Sequence, residues 1–539
     1  MLGPVEREVL AQLFASIPEE MGAVLVRSAR SPNIRERRDA SAALFSADGE
    51  LVAQAAHIPV HLGAMPEAVD AVRQKGARAG DVWILNDPYT GGTHLPDITI
   101  IEAVASTGLQ PLRVSGPGTM HRSVADPAIA FAVVRAHHAD VGGARPGSMP
   151  PGARTLAEEG VVIPPTRLLE GGNVDEEVMS HIVGRMREPE VRRADLAAQI
   201  AAAGRGAERW REMVVRYGRV NIENAVEDLL GYAEKRARAA LSGLRDGVWE
   251  AEDVLEGDGV TDTPLPIRVR ATVKGGSLKL DFTGTAPATD GNVNCPMAVA
   301  RSAALFVARC LMPEDVPTNG GVARCIEVIA PEGCLINARP PHAVAAGNVE
   351  TSQRLADVIM LALAQAGAAV PAQGQGTMNN VILGTDRWTY YETSGGGQGG
   401  SAWGPGPSGV HVGMSNTLNT PIEMLEMELP LRVERYALRP RAGEKGEGGE
   451  RGETGEGTRG TGRGGRGVIR EIRVLESCHL SLITERRSVA PRGLAGGADG
   501  ELGVNRVNGK IVGSKVAVDL VPGDIVTIET PGGGGFGST

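Results

Sequence analysis

Aromatic side chains are scarce in this sequence: Phe, Tyr and Trp together make up 3% of its 539 residues. A core with so few rings must be built from Ala, Val, Leu and Ile, and 73 Gly with 34 Pro mean frequent turns between short elements. Cysteine is sparse too. Cys295, Cys310, Cys325, Cys334 and Cys478 are odd in number and contain no C-x-x-C pair, which fits a reducing cytosol better than a disulfide framework. Positive charge is not in excess. A net charge of −10 argues against a nucleic-acid or anionic-membrane surface, since either needs a concentrated basic face. The most apolar helix-like run, 358–370, is interrupted by Gln365 and too short to span a bilayer. The opening Met1-Leu-Gly-Pro-Val-Glu-Arg-Glu turns charged at once, so no secretory signal is read and the expected location is the cytoplasm. Neither a GxxxxGK[ST] loop nor a GxGxxG between strand and helix is present, so ATP is not placed in this chain.

What the sequence does have is a dense polar stretch, Asn86-Asp-Pro-Tyr-Thr-Gly-Gly-Thr-His-Leu-Pro-Asp97. Pro and Gly make it a loop, and the apolar runs 81–85 and 98–101 on either side read as short strands that would hold it rigid. His94 and Asp97 are three apart across Pro96, so a tight loop turns both toward one point. They either bond the loop's own backbone or offer one nitrogen and one oxygen to a divalent metal. A metal needs further donors; the best are His137-His138-Ala-Asp140 downstream and Asp39 upstream. His57 and His61 each read more readily as hydrogen-bonded interior groups than as ligands.

Length predicts about three or four units. A helix is expected over 5–29, with Pro18 weakening its middle, then a hairpin over 42–53 turning at Asp48-Gly49. Residues 174–244 read as long amphipathic helices with nothing catalytic, His181 included. The cluster Arg35, Arg37 and Arg38 reads as a solvated helix end or an anion contact. Strands follow over 267–273 and 277–283, helices over 297–311 and 355–366. A Gly/Asn segment holding Asn348, Glu350 and Ser352 enters the last helix, either as an ordinary cap or as backbone donors for an anionic or carbonyl group. Residues 441–467 are Gly, Glu, Arg and Thr with almost nothing apolar and are expected to be disordered, with strands resuming beyond them. The expected class is α+β, with a helical N-terminal half and a β-rich C-terminal part. The units are 1–245 with the metal site, 246–440 lining a cavity, the 441–467 insertion and 468–539.

The string NDPYTGGTHLPD, followed by AHHADVGGARPGSMPPGA, resembles the signature of the hydantoinase B family, and the likeness runs from Ser31 to the closing Pro531-Gly-Gly-Gly-Gly-Phe-Gly. The resemblance implies the metal-bearing B subunit of an ATP-dependent hydantoinase or 5-oxoprolinase. A divalent metal (Zn, Mn or Fe) would be held by Asp39, His94, Asp97 and His137, with His138 competing for the last place. It also implies a hydantoinase A-type partner that binds ATP in a hetero-oligomer, and a small cyclic amide as substrate. On that reading Asp87, His138 or Asp140 serves as general base or orienting group, while Asn348, Glu350, Ser352 and His411 contact substrate. The sequence departs from the family between 104 and 131, where extra residues make His121 a rival ligand, and at 441–467, where relatives have a short loop. The same family likeness leaves two alternatives: the large subunit of an ATP-dependent ketone carboxylase, and a scaffold subunit whose metal is structural.

Overall fold

In a computed structural model of the chain, residues 3–56, 58–106, 127–170, 173–440 and 462–538 are described. The hairpin at Asp48-Gly49 forms as its turn residues dictate, Gly49 taking φ +90°, and joins β1 (Ala40–Ser46) to β2 (Leu51–Ala56). Around it a seven-stranded antiparallel sheet is completed by β3 (Val82–Leu85), β4 (Asp97–Val104), β5 (Ala130–His137), β6 (Thr166–Glu170) and β7 (Asn173–Val174), in the order β2-β1-β5-β4-β3-β6-β7. The N-terminal half therefore carries the largest sheet as well as long helices, and the α+β class holds.

β4 and β5 are buried along their whole length because the sheet is covered on both faces. Alternate residues Ile98, Ile100, Ala132, Val134 and Ala136 face α1 (Pro4–Ser28) and α2 (Pro189–Tyr217), which pack on the same core. Ile101, Ala103, Phe131 and Val133 face the helix Met65–Gln74. This period of two decides which polar residues share a face at the strand ends.

α1 buries Leu10, Phe14, Ile17, Met21 and Leu25, a stripe at three- and four-residue spacing, and Pro18 does not divide it. Phe14 meets Trp210 of α2 with ring centroids 5.5 Å apart. Where the helices approach most closely, a Cβ on Gly206 would lie 2.4 Å from Met21 Sδ. The segment Val5–Ser28 is also long and apolar enough to cross a bilayer, which the sequence reading passed over; here its apolar face is spent against α2 and the sheet.

A third helix, α3 (Arg219–Leu241), leads into a four-stranded sheet of β8 (Gly247–Leu255), β9 (Leu265–Lys274), β10 (Ser277–Asp281) and β11 (Ile326–Ile329). Its core is shared with α4 (Met297–Cys310) and α5 (Ser352–Gln365), and also with Ile58, Val60, Leu62 and Met149 from the N-terminal region. Two further sheets follow. One contains β12 (Asn380–Gly384) and β13 (Thr389–Glu392), together with strands 478–483 and 515–520; the other holds the remaining strands after 430.

The expectation of disorder over 441–467 fails at its last six residues. Gly465 N–H bonds Gln398 O at 2.8 Å and accepts from Gly533 N–H at 3.0 Å, while Gly462 and Phe536 exchange both backbone bonds. Backbone pairing between glycine-rich segments replaces the apolar burial that 462–467 lacks; residues 441–461 lie outside the described residues. His57 and His121 fall outside them as well.

Replacing Phe14 by Ala should cost about 3–5 kcal/mol through the cavity left against Trp210. A thermal transition unchanged from wild type would show that the α1–α2 contact is not part of the folded core.

Candidate metal centre

Three adjacent strands end at one place. β4 pairs with β5 so that Asp97 stands directly across from His137, and β5 pairs with β1 so that His137 N–H reaches Asp39 O at 3.0 Å. Asp97 and His137 share the parity of Ile101 and Val133, so both side chains point to the face of the Met65–Gln74 helix. The loop before β4 adds His94. Its tight course needs Gly92, where a Cβ would sit 2.3 Å from Asn86 O, and Asn86 itself is locked to Leu95 O and Val161 O.

His94, Asp97 and His137 are buried, and one ligand atom from each lies within 4.8 Å of the others. Asp97 Oδ2 accepts from Thr93 Oγ1 at 2.9 Å and Asn348 Nδ2 at 3.3 Å, and stands 3.1 Å from His61 Nε2. His94 Nδ1 lies 3.0 Å from the same oxygen and His137 Nδ1 3.4 Å from Oδ1. Yet His94 Nδ1, Asp97 Oδ1 and His137 Nε2 are all left without a hydrogen-bond partner. Buried polar atoms of this kind are normally paired, so three orphans on two histidines and a carboxylate that can each bring a ligand atom within 4.8 Å of the others fit a divalent metal.

The electrostatics agree. Burial by itself would raise the Asp97 carboxyl, but the neighbouring His94 and His61, with the His61 contact at 3.1 Å, hold it well below the usual carboxylate range. Burial lowers the His137 ring, which favours the neutral, ligating form.

Asp39 is buried at the start of β1, but its carboxylate is not part of the three-residue group; its Oδ2 lies 4.0 Å from Arg37 Nη2. Asp87 accepts the Tyr89 N–H at 3.0 Å and shapes the loop. His138 is not brought to the cluster. One residue beyond His137 it takes the opposite parity, and its Nε2 meets Gln199 Oε1 of α2 at 2.8 Å, where burial lowers its pKa to about 4. Asp140 is likewise committed: its two oxygens accept from Gly142 and Gly147 N–H at 2.7 Å each, and Arg187 lies beside it. His138 and Asp140 thus make structural contacts, where the family resemblance implied acid–base work for them.

The Gly/Asn segment is no open loop. Residues Gly347–Thr351 form a π-helical turn continuous with α5, where a Cβ on Gly347 would lie 1.8 Å from Asn294 O. Asn348 reaches Asp97 and comes within 3.5 Å of His94 Nε2. Ser352 instead bonds back to Asn348 O at 2.6 Å, as a helical serine does, and offers nothing outward. Glu350 is buried with Oε2 unpartnered. His411 bonds Ser415 Oγ through Nδ1, while its Nε2 is unpartnered; burial, then the Arg37 charge, lowers its pKa to about 4.

Sequence reasoning missed Tyr391 and misread Arg37. The Tyr391 ring stacks on His137 with centroids 4.7 Å apart, and the Arg37 guanidinium also lies 4.7 Å from the ring centre. Arg37 is fully buried, tied to Asn33 Oδ1, Tyr391 O, Thr393 and Thr417. Only strand alternation in β13 carried a signal for Tyr391; nothing local separated Arg37 from its exposed neighbours. His61 behaves as expected, bridging Ser41 Oγ and Asp97.

The hydantoinase B/oxoprolinase family model matches residues 3–539. The chain belongs to this family. The 5-oxoprolinase 1 of Arabidopsis thaliana is 36% identical over 568 residues, covering 99% of this chain and 42% of that protein. The chain therefore spans about two fifths of that relative. Two solved structures share the fold: the ATP-dependent caprolactamase of Pseudomonas jessenii, with TM-score 0.83, 24% identity and coverage of 100% of this chain and 91% of that one, and acetone carboxylase in its nucleotide-free form, with TM-score 0.82, 16% identity and coverage of 99% and 76%. Among the described residues, the buried His94, Asp97 and His137 at the ends of β4 and β5 are a group that could hold a metal.

His94→Ala and Asp97→Asn should each abolish bound divalent metal on elemental analysis, whereas His138→Ala should leave it in place. Asn348→Ala, which removes a hydrogen bond to Asp97 but no ligand, should weaken metal affinity about 10- to 100-fold. Metal loss in His138→Ala with retention in His94→Ala would reverse the assignment.

Proposed function

We propose that this chain is the metal-bearing subunit of an ATP-dependent cyclic amidohydrolase that opens a hydantoin or 5-oxoproline-type lactam. An A-type partner binds and spends the ATP in a cytoplasmic hetero-oligomer. The observation that carries the reading is the set of unpartnered ligand atoms on His94, Asp97 and His137. Family membership supports the amide chemistry, and the ATP-dependence named for the caprolactamase supports the coupling. The absence of cysteine among these ligands favours a site that works over one that only braces the fold, since structural zinc sites are mostly thiolate-rich and closed.

The chemistry explains why ATP is needed. A ring amide is stabilised by resonance and its nitrogen leaves poorly, so activating the carbonyl oxygen weakens the bond to be broken. His94, Asp97 and His137 would hold a zinc, manganese or iron ion, with Asp39 as the fourth ligand from the neighbouring strand. When bound, the metal supplies Lewis-acid polarisation and a nucleophilic water at neutral pH. The chain's own groups do the rest. The Asp97 carboxyl is held well below the usual carboxylate range chiefly by its contacts with His94 and His61, so it stays ionised. Asn348 and Thr93 fix its carboxylate plane, and His61 is itself fixed by Ser41. Tyr391 orients His137 by stacking and shields it from bulk water.

The ketone-carboxylase alternative calls on the same ligands and is separated by products. The chain co-expressed with its partner should convert hydantoins or 5-oxoproline to ring-opened acids only with ATP, incorporating no carbon from labelled bicarbonate. Labelled keto acid from a simple ketone would move it to the carboxylases. No ATP-dependent turnover of any of these would leave the scaffold reading.

A further inference from the structure

Glu350 is a buried titratable group near the metal centre that the ligand set does not use. It lies in the π-helical turn 347–351, and isolated π turns recur at functional positions because they aim side chains that a regular helix would not. Two residues earlier in that turn, Asn348 touches Asp97. On its other side Glu350 Oε1 accepts from Asn380 Nδ2 at 2.7 Å and Met378 N–H at 3.2 Å. Asn380 Oδ1 in turn accepts the Tyr391 hydroxyl at 3.0 Å, and the Tyr391 ring lies on His137. One residue in its own turn and a two-residue relay through β12 and β13 thus connect Glu350 to both sides of the cluster.

Its second oxygen, Oε2, is buried and unpartnered. Leaving such an atom unpaired is costly, so its presence calls for a ligand or a reaction. Glu485, which follows strand 478–483, Lys515 at the start of the adjoining strand, and Arg487 are the charged groups acting on it, with Tyr391 the neighbouring phenol. Burial first, then the Glu485 charge, push its carboxyl up to about 7, with the Thr377 hydroxyl, then Lys515 and the Met378 N–H, acting in the opposite direction. Acid and base forms are therefore both populated at neutral pH, the condition under which a carboxyl moves protons efficiently.

We propose that Glu350 is the proton-transfer group of this site, its free Oε2 taking a proton from the attacking water and delivering it to the ring nitrogen of a cyclic amide. The inference rests on the amidohydrolase reading above. Water adds through oxygen to the carbonyl carbon and leaves one proton on Glu350. The C–N bond breaks with its electron pair on nitrogen, and that nitrogen takes the proton. The products are a carboxylic acid and an amine, and Glu350 ends as the carboxylate it began as. The direction of its pH dependence follows: the base form is lost as pH falls through about 7, so kcat should decline on the acid side.

The test compares wild type, Glu350→Gln and Glu350→Asp in the partner complex, with metal and ATP and the cyclic amide that wild type opens. Glu350→Gln keeps the acceptor for Asn380 but cannot exchange the proton. Its kcat should fall about 10²- to 10⁴-fold and lose the acid limb, with metal content unchanged. Glu350→Asp should retain the limb at reduced kcat, which keeps the proposal testable if the glutamine variant does not fold. Unchanged kcat and an unchanged limb in Glu350→Gln would overturn it. Difference infrared spectroscopy of wild type against Glu350→Gln reads the same group without turnover: a protonated-carboxyl band titrating near pH 7 supports the role, and its absence overturns it. If wild type opens no ring under any condition the amidohydrolase reading fails by itself, while the infrared titration still decides whether Glu350 is poised to move a proton.

Discussion

The antiparallel register of β1, β5 and β4 is the constraint on which the rest depends. Pairing Asp97 with His137, and Ala40 with Ala136, brings residues nearly 100 positions apart in sequence to one strand end. A slip of one residue in β5 would turn His137 toward α2 and bring His138 to the cluster in its place, because side chains alternate across the sheet. Burial on both faces forbids that slip. Arg135, fully buried and bonded to Thr99 Oγ1 and Gly91 O, would otherwise be thrust among the apolar residues beneath α1 and α2.

The same covering that fixes register also sets the chemistry. A carboxylate and two imidazoles removed from water make strong demands on one another, and their mutual contacts leave three atoms unsatisfied. Arrangements like this are costly in an empty interior and favourable around a cation. The groups behind the cluster come from separate segments: Thr93, Asn348 and Tyr391 each touch a ligand, and Ser41 fixes His61 against Asp97.

Farther out, rigidity comes from buried ion pairs. Arg354 of α5 lies between Asp253 and Glu485, and Arg486 joins Asp253 to Asp357, all with little or no exposed side chain. These pairs bind α5, which carries the π turn, to β8 and to the C-terminal strands. Removing one partner would strand a buried charge, which is strongly destabilising, so the network holds the Asn348 and Glu350 turn in a single position.

Much of this was legible in the sequence because it was local. The Asp48-Gly49 hairpin, the apolar stripe of α1, the Pro- and Gly-bounded loop before Asp97, and His94 with Asp97 at a shared point all follow from short-range periodicity and turn chemistry. So did family membership, which a long run of motif residues carries. What the sequence left open were choices between neighbours: His137 over His138, Arg37 buried where Arg35 and Arg38 are not, Asp140 held by glycine N–H groups rather than free to act. Strand parity and the covering helices decide each of these, and they exist only once distant segments pack. The Glu350 environment is the extreme case. Its partners Asn380, Met378, Glu485 and Lys515 are 28 to 165 residues away in the chain, so neither its unpaired oxygen nor its raised pKa could be read before the fold brought them together.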